Sequence, residues 1–487
     1  MRTTDRSTDP RPDGDPGAGR PSRLTAAVLA LALLGAACSS VAIGKPRAAE
    51  TATDGTGCEP TATTAIPQPT QAQLDAADLG QIPLAPESAR RDLVAAPFSN
   101  STAVTNPLFP IAELESAILN GQVDGETFHT ETTLLPFTRV IEWIPGQCVR
   151  VLVSQYMAFL GGRLQEVAID LYAQADDGSV WYLGEDVYDY DVNGRIVTTE
   201  GTWHAGTEGP AAMIMPSDPQ IGDANRPENI PGNVFEEVVV TQVDRTFDGP
   251  SGPIDGVMVA TETHQDGATT DKVFSPGYGE FLSTDGPDVE ALALASPADS
   301  LPGGVPVELA TISSGADRIF ASPLATPAQW RGAERAARGM VQAWDAFREG
   351  DVPPRLIEPT DIALDDLSAR IEDRDRSKSR GASIAVSFAS IDLQLRYRPG
   401  VEVDAARFEL WARRVLVDVG VGSLGGARSD FVTLEWIRDR FAHTLDVVTR
   451  TRLDTLVRDM GAAIFDGDLE ATASLARELR DLLRPIV

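Results

Sequence analysis

The chain has 487 residues, 72 of them Asp or Glu and 41 Lys or Arg, for a formal charge of -31 at pH 7. Such a chain repels nucleic acid, so no nucleic-acid partner is expected. Hydrophobic residues make up 42%, enough to fold, and the length exceeds what one hydrophobic core serves, so two or three domains are expected.

Arg2, Arg6, Arg11, Arg20 and Arg23 precede an apolar run from Leu24 to Ala37. At 14 residues the run is shorter than the about 20 that a spanning helix needs. A basic leader followed by such a run and small residues describes a secretory signal. Gly35-Ala36-Ala37-Cys38 resembles the bacterial lipoprotein signal, in which the cysteine is diacylated and becomes the first residue. The resemblance implies a signal peptide over 1–37, lipidation at Cys38 and a place on the extracytoplasmic face of the cell membrane. Cys58 and Cys148 then remain. Two cysteines outside the cytoplasm usually pair, and a disulfide between them is expected; the alternative is two free thiols.

Residues 38–98 are rich in Ala, Thr, Pro, Gln and Asp and read as a flexible tether, because that composition buries too little to offset ordering entropy. From 99 to 295 short alternating runs are broken by turn residues. Val149, Val151 and Val153 alternate with Arg150, Leu152 and Ser154. Asp176-Asp177-Gly178, Asn193-Gly194 and Asp266-Gly267 each sit between two such runs, the strongest short-range hairpin signal. The segment predicts an antiparallel β-sandwich or partly closed barrel.

Residues 296–326 are dominated by Pro, Gly, Ser and Ala and read as a linker. Helical spacing takes over from 327 to 487. Trp330, Ala333, Ala337, Val341 and Trp344 form one stripe. A second helix opens near Asp361, carries Phe388, Ile391 and Leu395, and stops before Pro399. Asp404 reads as the N-cap of a third, with Phe408, Trp411, Val415 and Val419 as its stripe. Leu434, Ile437, Phe441 and Leu445 make another, and 469–483 closes the chain. The prediction is an α+β multidomain chain whose β-domain is followed by a four- or five-helix bundle. Charge is divided unevenly: 41 acidic against 12 basic residues over 39–323, and 27 against 24 over 324–487.

Site candidates are few. Glu435, Asp439 and His443, at steps of four, place carboxylates and an imidazole on one helix face as metal ligands. That face centres well over about 100° from the apolar stripe, as a solvated face does. Asp176, Asp177, Glu185, Asp186, Asp189 and Asp191 crowd a short span without the spacing of an EF-hand loop. Trp181, Tyr182 and Trp203, on adjacent strands, would line a ligand pocket or form a core ladder. Asp392 and Arg396 read as an i,i+4 ion pair. No P-loop, nucleophile elbow, dinucleotide fingerprint or zinc-binding histidine pair is present, and no cofactor is expected. A hydrolase would need a carboxylate pair such as Asp186 with Glu200.

Leu171-Tyr172-Ala173-Gln174-Ala175-Asp176-Asp177-Gly178-Ser179-Val180-Trp181-Tyr182-Leu183-Gly184-Glu185 is similar to a segment near YAQDxDGNVWYFGE that recurs in a bacterial exported lipoprotein family. Asn106-Pro107-Leu108-Phe109-Pro110, Glu200-Gly201-Thr202-Trp203, Ile214-Met215-Pro216 and Ser275-Pro276-Gly277-Tyr278-Gly279 resemble other segments of that family, in the same order. The resemblance implies a β-domain over roughly 100 to 290 and no activity. The expectation is a lipid-anchored envelope protein that binds or scaffolds without catalysis, its partner an envelope protein or small ligand. Metal or small-ligand capture is the alternative, and an envelope hydrolase the second.

Overall fold

The computed structural model describes residues 61–484. Thr64–Ala65 (β1) pairs with Val94–Ala95 (β2), and helix Gln71–Ala76 (α1) lies between them. The main sheet begins with Ser116–Val123 (β3), Glu126–Ile144 (β4), Gln147–Leu160 (β5), Arg163–Gln174 (β6) and Val180–Tyr190 (β7). Short strands follow at Ile196–Thr198 (β8), Trp203–His204 (β9), Ala212–Met215 (β10) and Ala224–Ile230 (β11). Val234–Gly249 (β12), Gly252–His264 (β13), Thr269–Ser275 (β14), Gly279–Asp285 (β15) and Asp288–Ser296 (β16) complete it.

These 14 strands form one antiparallel sheet in the order β10-β7-β6-β5-β4-β3-β16-β15-β14-β13-β12-β11, with β8 and β9 also on β7. The predicted turns do what glycine at positive φ allows: Gly178, Gly194 and Gly267 lie at φ 87°, 70° and 82° between paired strands. The sheet curls until β10 and β11 lie side by side. No backbone ladder joins them; the Asn225 side chain donates to the Met213 carbonyl at 2.9 Å. This is a partly closed barrel.

Eight helices follow: Val307–Ala321 (α2), Pro327–Phe347 (α3), Pro354–Glu372 (α4), Arg376–Gln394 (α5), Gly400–Gly420 (α6), Leu424–Phe441 (α7), Val447–Phe465 (α8) and Leu469–Leu483 (α9). The stripes counted four or five. The predicted linker contains α2, whose Leu309, Ile312, Ala316 and Ile319 are buried at helical spacing despite the Ser- and Gly-rich setting. The predicted second helix is two, α4 and α5, broken where Arg374 takes φ 52°. Asp404 is not an N-cap: α6 starts at Gly400, and Asp404 is buried beside Arg407 and Arg440. Asp392 pairs with Arg407 at 2.8 Å, and Arg396 with Asp351 at 3.0 Å, so the expected i,i+4 pair is replaced by contacts between elements. Among the described residues no helix is long and apolar enough to cross a membrane.

The expected tether is folded from residue 61 onward. Ile66, Leu79, Ala95 and Phe98 are buried. Asp92 accepts from the Arg226 backbone at 3.0 Å, and Gln68 from Asn229 at 3.2 Å, which lays the segment along β11, the last strand of the sheet. Its apolar residues are too sparse to make a core of their own, but a preformed sheet edge gives them one and is covered in return. The rest of the tether, with Cys38 and Cys58, lies outside the described residues.

Sheet and helices share one apolar core. Strand alternation shows where it sits. On β6, Val167, Ile169 and Leu171 point to one face and join the core with α6 and α7 residues such as Trp411 and Ile437, while Glu166, Ala168, Asp170 and Tyr172 point to the other. Much of the core therefore lies outside the barrel, under the helices, although it also includes inward-facing residues such as Tyr172, Val238 and Phe274. Buried polar ties cross the same surface. Glu131 on β4 meets Arg407 at 3.3 Å and also Arg440, and Arg163 meets Asp430 at 2.6 Å and Asp418 at 2.8 Å.

Candidate functional site

The barrel interior holds a cavity of about 330 Å³. Every second residue along a strand faces inward, as Glu166, Ala168, Asp170 and Tyr172 do on β6, so its chemistry is set by strand alternation. Eight carboxyl groups reach it, Glu166, Asp170, Glu185, Glu228, Glu236, Glu262, Glu280 and Glu290, against Lys272 and His264. Tyr156, Tyr172, Tyr182 and Tyr278 share the wall, and Phe109, Pro110, Ile111 and Leu114 form an apolar patch on it.

The register brings carboxyls face to face. Asp170 pairs with Glu185 across β6 and β7, and Glu228 with Glu236 across β11 and β12. Glu185 and Glu228 share a hydrogen bond between carboxyl groups, which one proton must supply. Burial, and then the charge of Glu185, push the Asp170 carboxyl up to about 8, although Tyr182 donates to it at 2.7 Å. Burial and the neighbouring Asp189, Glu185 and Asp170 raise Glu166 well above the usual carboxylate range. Glu290 is pushed up to about 7 by burial and by Glu280, partly offset by the Thr130 hydroxyl, which donates at 2.6 Å.

The other side of the cavity carries its two basic side chains, Lys272 and His264. The Lys272 ammonium lies 2.8 Å from Glu280 and 3.5 Å from Glu262. Burial works against its charge, but Glu262 and Glu280 outweigh it and raise its pKa well above the ordinary lysine value. His264 sits 3.1 Å from Glu236 through Nδ1 and 2.8 Å from the Thr270 hydroxyl through Nε2. Against the cost of burial, that histidine holds Glu236 below its usual range, while Glu262 is pushed up to about 8 by burial and by Glu236. Ligand atoms of Glu236, Glu262 and His264 lie within 4.8 Å of one another, the one such grouping among the described residues.

The expected metal ligands Glu435, Asp439 and His443 do not gather in this way. Helix α7 ends at Phe441, and His443 falls in the following turn, off the line that the i,i+4 steps assume. The crowded carboxylates between Asp176 and Asp191 divide: Asp186 lies 2.7 Å from Arg139 and 3.1 Å from His204, Asp176 accepts from Ser99 at 2.9 Å, and Glu185 lines the cavity. Of the three aromatic candidates, Tyr182 lines the cavity, stacked on Tyr172 at 4.9 Å. Trp203 buttresses Tyr182 from behind at 5.4 Å. Trp181, one residue out of phase, points the other way and packs on Phe98.

The acidic lining was missed because each carboxyl alternates with apolar residues, which reads as a solvated strand face. The available signal was the recurrence of that pattern on six or more strands of one curled sheet. Comparison with known protein families and with curated proteins finds no match.

Proposed function

We propose that the chain is a lipid-anchored, extracytoplasmic ligand-binding protein whose receptor is the barrel interior, acting by capture and without turnover. The observation that carries this reading is the cavity itself. Packing normally fills a barrel interior or leaves it apolar and small, and polar groups are buried at a cost unless a partner repays them. Here many apolar side chains of β4 to β7 are committed to the helices outside, and the interior mixes carboxyls, hydroxyls and aromatic faces with aliphatic residues such as Leu119, Val234 and Val238. That combination of a concave aromatic wall with a few convergent polar groups is what small-ligand sites present. The lipid anchor follows from the resemblance at Gly35 to Cys38, and it would hold such a receptor at the envelope.

The test is native mass spectrometry of the full chain carrying Cys38→Ser, purified from the cells that make it, beside the same protein carrying Ala168→Trp. Ala168 lies between Glu166 and Asp170 on the cavity wall, and an indole there would fill the space. The expected result is a bound small molecule that Ala168→Trp removes. A ligand-free mass for both proteins would contradict the reading.

A further inference from the structure

The two sides of the cavity differ in how their charge is met. Glu236, Glu262 and Glu280 have His264 and Lys272 within ion-pair distance. Glu166, Asp170, Glu185 and Glu228 pair with no cationic side chain among the described residues, and Glu166 is 5% exposed with its Oε2 unpartnered. The Ser154 hydroxyl, on the same wall and fully buried, has no partner either. Resting on the reading of the barrel as a receptor, we propose that this side takes an organic ammonium ion, best an alkyl diamine, seated on Glu166, Asp170 and Glu185 with its carbon chain against Tyr172 and Tyr182.

Three observations favour that class. The chain already seats an alkylammonium of its own, Lys272, on the opposite carboxylates, so the wall is built to accept this group. Tyr172 and Tyr182, stacked on each other in the wall, offer aromatic surface against which methylenes pack beside the carboxyls. The volume of about 330 Å³ corresponds to roughly ten waters, far more than a bare metal ion needs. The Glu236, Glu262 and His264 group fits a metal less well, because both ring nitrogens of His264 are engaged, by Glu236 and by Thr270. A bound ammonium would take the place of the proton that Glu185 and Glu228 share and relieve the repulsion between Asp170 and Glu185.

Isothermal titration of the full chain carrying Cys38→Ser tests this, with cadaverine, pentanediol, hexanoate and Zn²⁺ as probes. Cadaverine should bind and pentanediol and hexanoate should not. Glu166→Gln alone, and Asp170→Asn with Glu185→Gln, should each weaken cadaverine about tenfold or more, the loss expected of a charge-assisted contact. Because the amides keep the side-chain shape, an unchanged circular dichroism spectrum separates lost binding from lost fold. Binding of pentanediol or hexanoate as tight as cadaverine, abolished by Ala168→Trp, would overturn the ammonium assignment and leave the receptor standing. Zn²⁺ binding that is lost in His264→Ala, with no response to cadaverine, would overturn it in favour of a metal. No heat from any probe, together with an identical mass spectrum for Ala168→Trp, would overturn both readings.

Discussion

Asp170 carries much of the cavity's energetics in one residue. It is 7% exposed, directly opposite Glu185, near Asp186, and held by the Tyr182 hydroxyl. Its folded pKa of about 8 stands above the ordinary value of 3.8, so the folded state binds a proton that the unfolded chain has released. A raised pKa stabilises the fold fully below the unfolded value, and that contribution is lost as pH rises through the folded one. Asp170, Glu262 and Glu290 act in the same direction, and so does His264, whose pKa is also raised. The protein without ligand should therefore lose stability between about pH 5 and pH 8, measured as a falling Tm. Asp170→Asn keeps an acceptor for Tyr182 and should flatten that fall, with a gain of about 1 kcal/mol or more at pH 8. An unchanged slope would show that Asp170 ionises as an ordinary carboxylate.

At the scale of elements, β6 explains why the site was hard to read. Its alternation was legible, and so were the Asp176-Asp177-Gly178 turn and its partner β7. What a single strand does not disclose is which face looks into the barrel. Val167, Ile169 and Leu171 face the helices, because α6 and α7 pack on the outer wall. The polar face, with Glu166 and Asp170, is the interior. The same packing explains Glu131, a carboxylate buried at the junction. Burial would push it up, but Arg407, Arg440 and a hydrogen bond from His129 hold it well below the usual range. Glu131→Leu leaves two buried guanidinium groups short of a partner and should cost about 3–5 kcal/mol in chemical denaturation. A loss under about 1 kcal/mol would mean that the surrounding Asp404 and Asp392 suffice. The motifs behind the family resemblance also acquire a place. Asn106 donates to the Pro216 carbonyl at 2.9 Å and Gly277 to the Pro107 carbonyl at 2.8 Å, so segments far apart in sequence meet where Phe109 closes on Tyr172.

For the whole molecule, the division into tether, β-domain, linker and bundle was legible in outline, but its separations were not. Composition alone marks 61–98 and 296–326 as unstructured; burial against neighbours brings both into the fold, which local sequence does not encode. Ala62 donates to Gln147 at 3.1 Å, beside Cys148, while Cys58, its expected partner, lies outside the described residues. Alkylation of the unreduced protein should leave both thiols unmodified, and label them only after reduction; labelling without reductant would refute the pair. Cys38→Ser should release the protein from membranes into the soluble fraction, and continued retention would refute the anchor.

The central claim is that the barrel encloses protonated carboxyl groups waiting for a cation. Infrared difference spectroscopy of the full chain at neutral pH reads those groups directly through the carbonyl stretch of the protonated acid. The account predicts that this band is present without ligand, weakens when cadaverine is added, and is reduced in Asp170→Asn. A spectrum with no protonated-acid band, or one that cadaverine leaves unchanged, would contradict it.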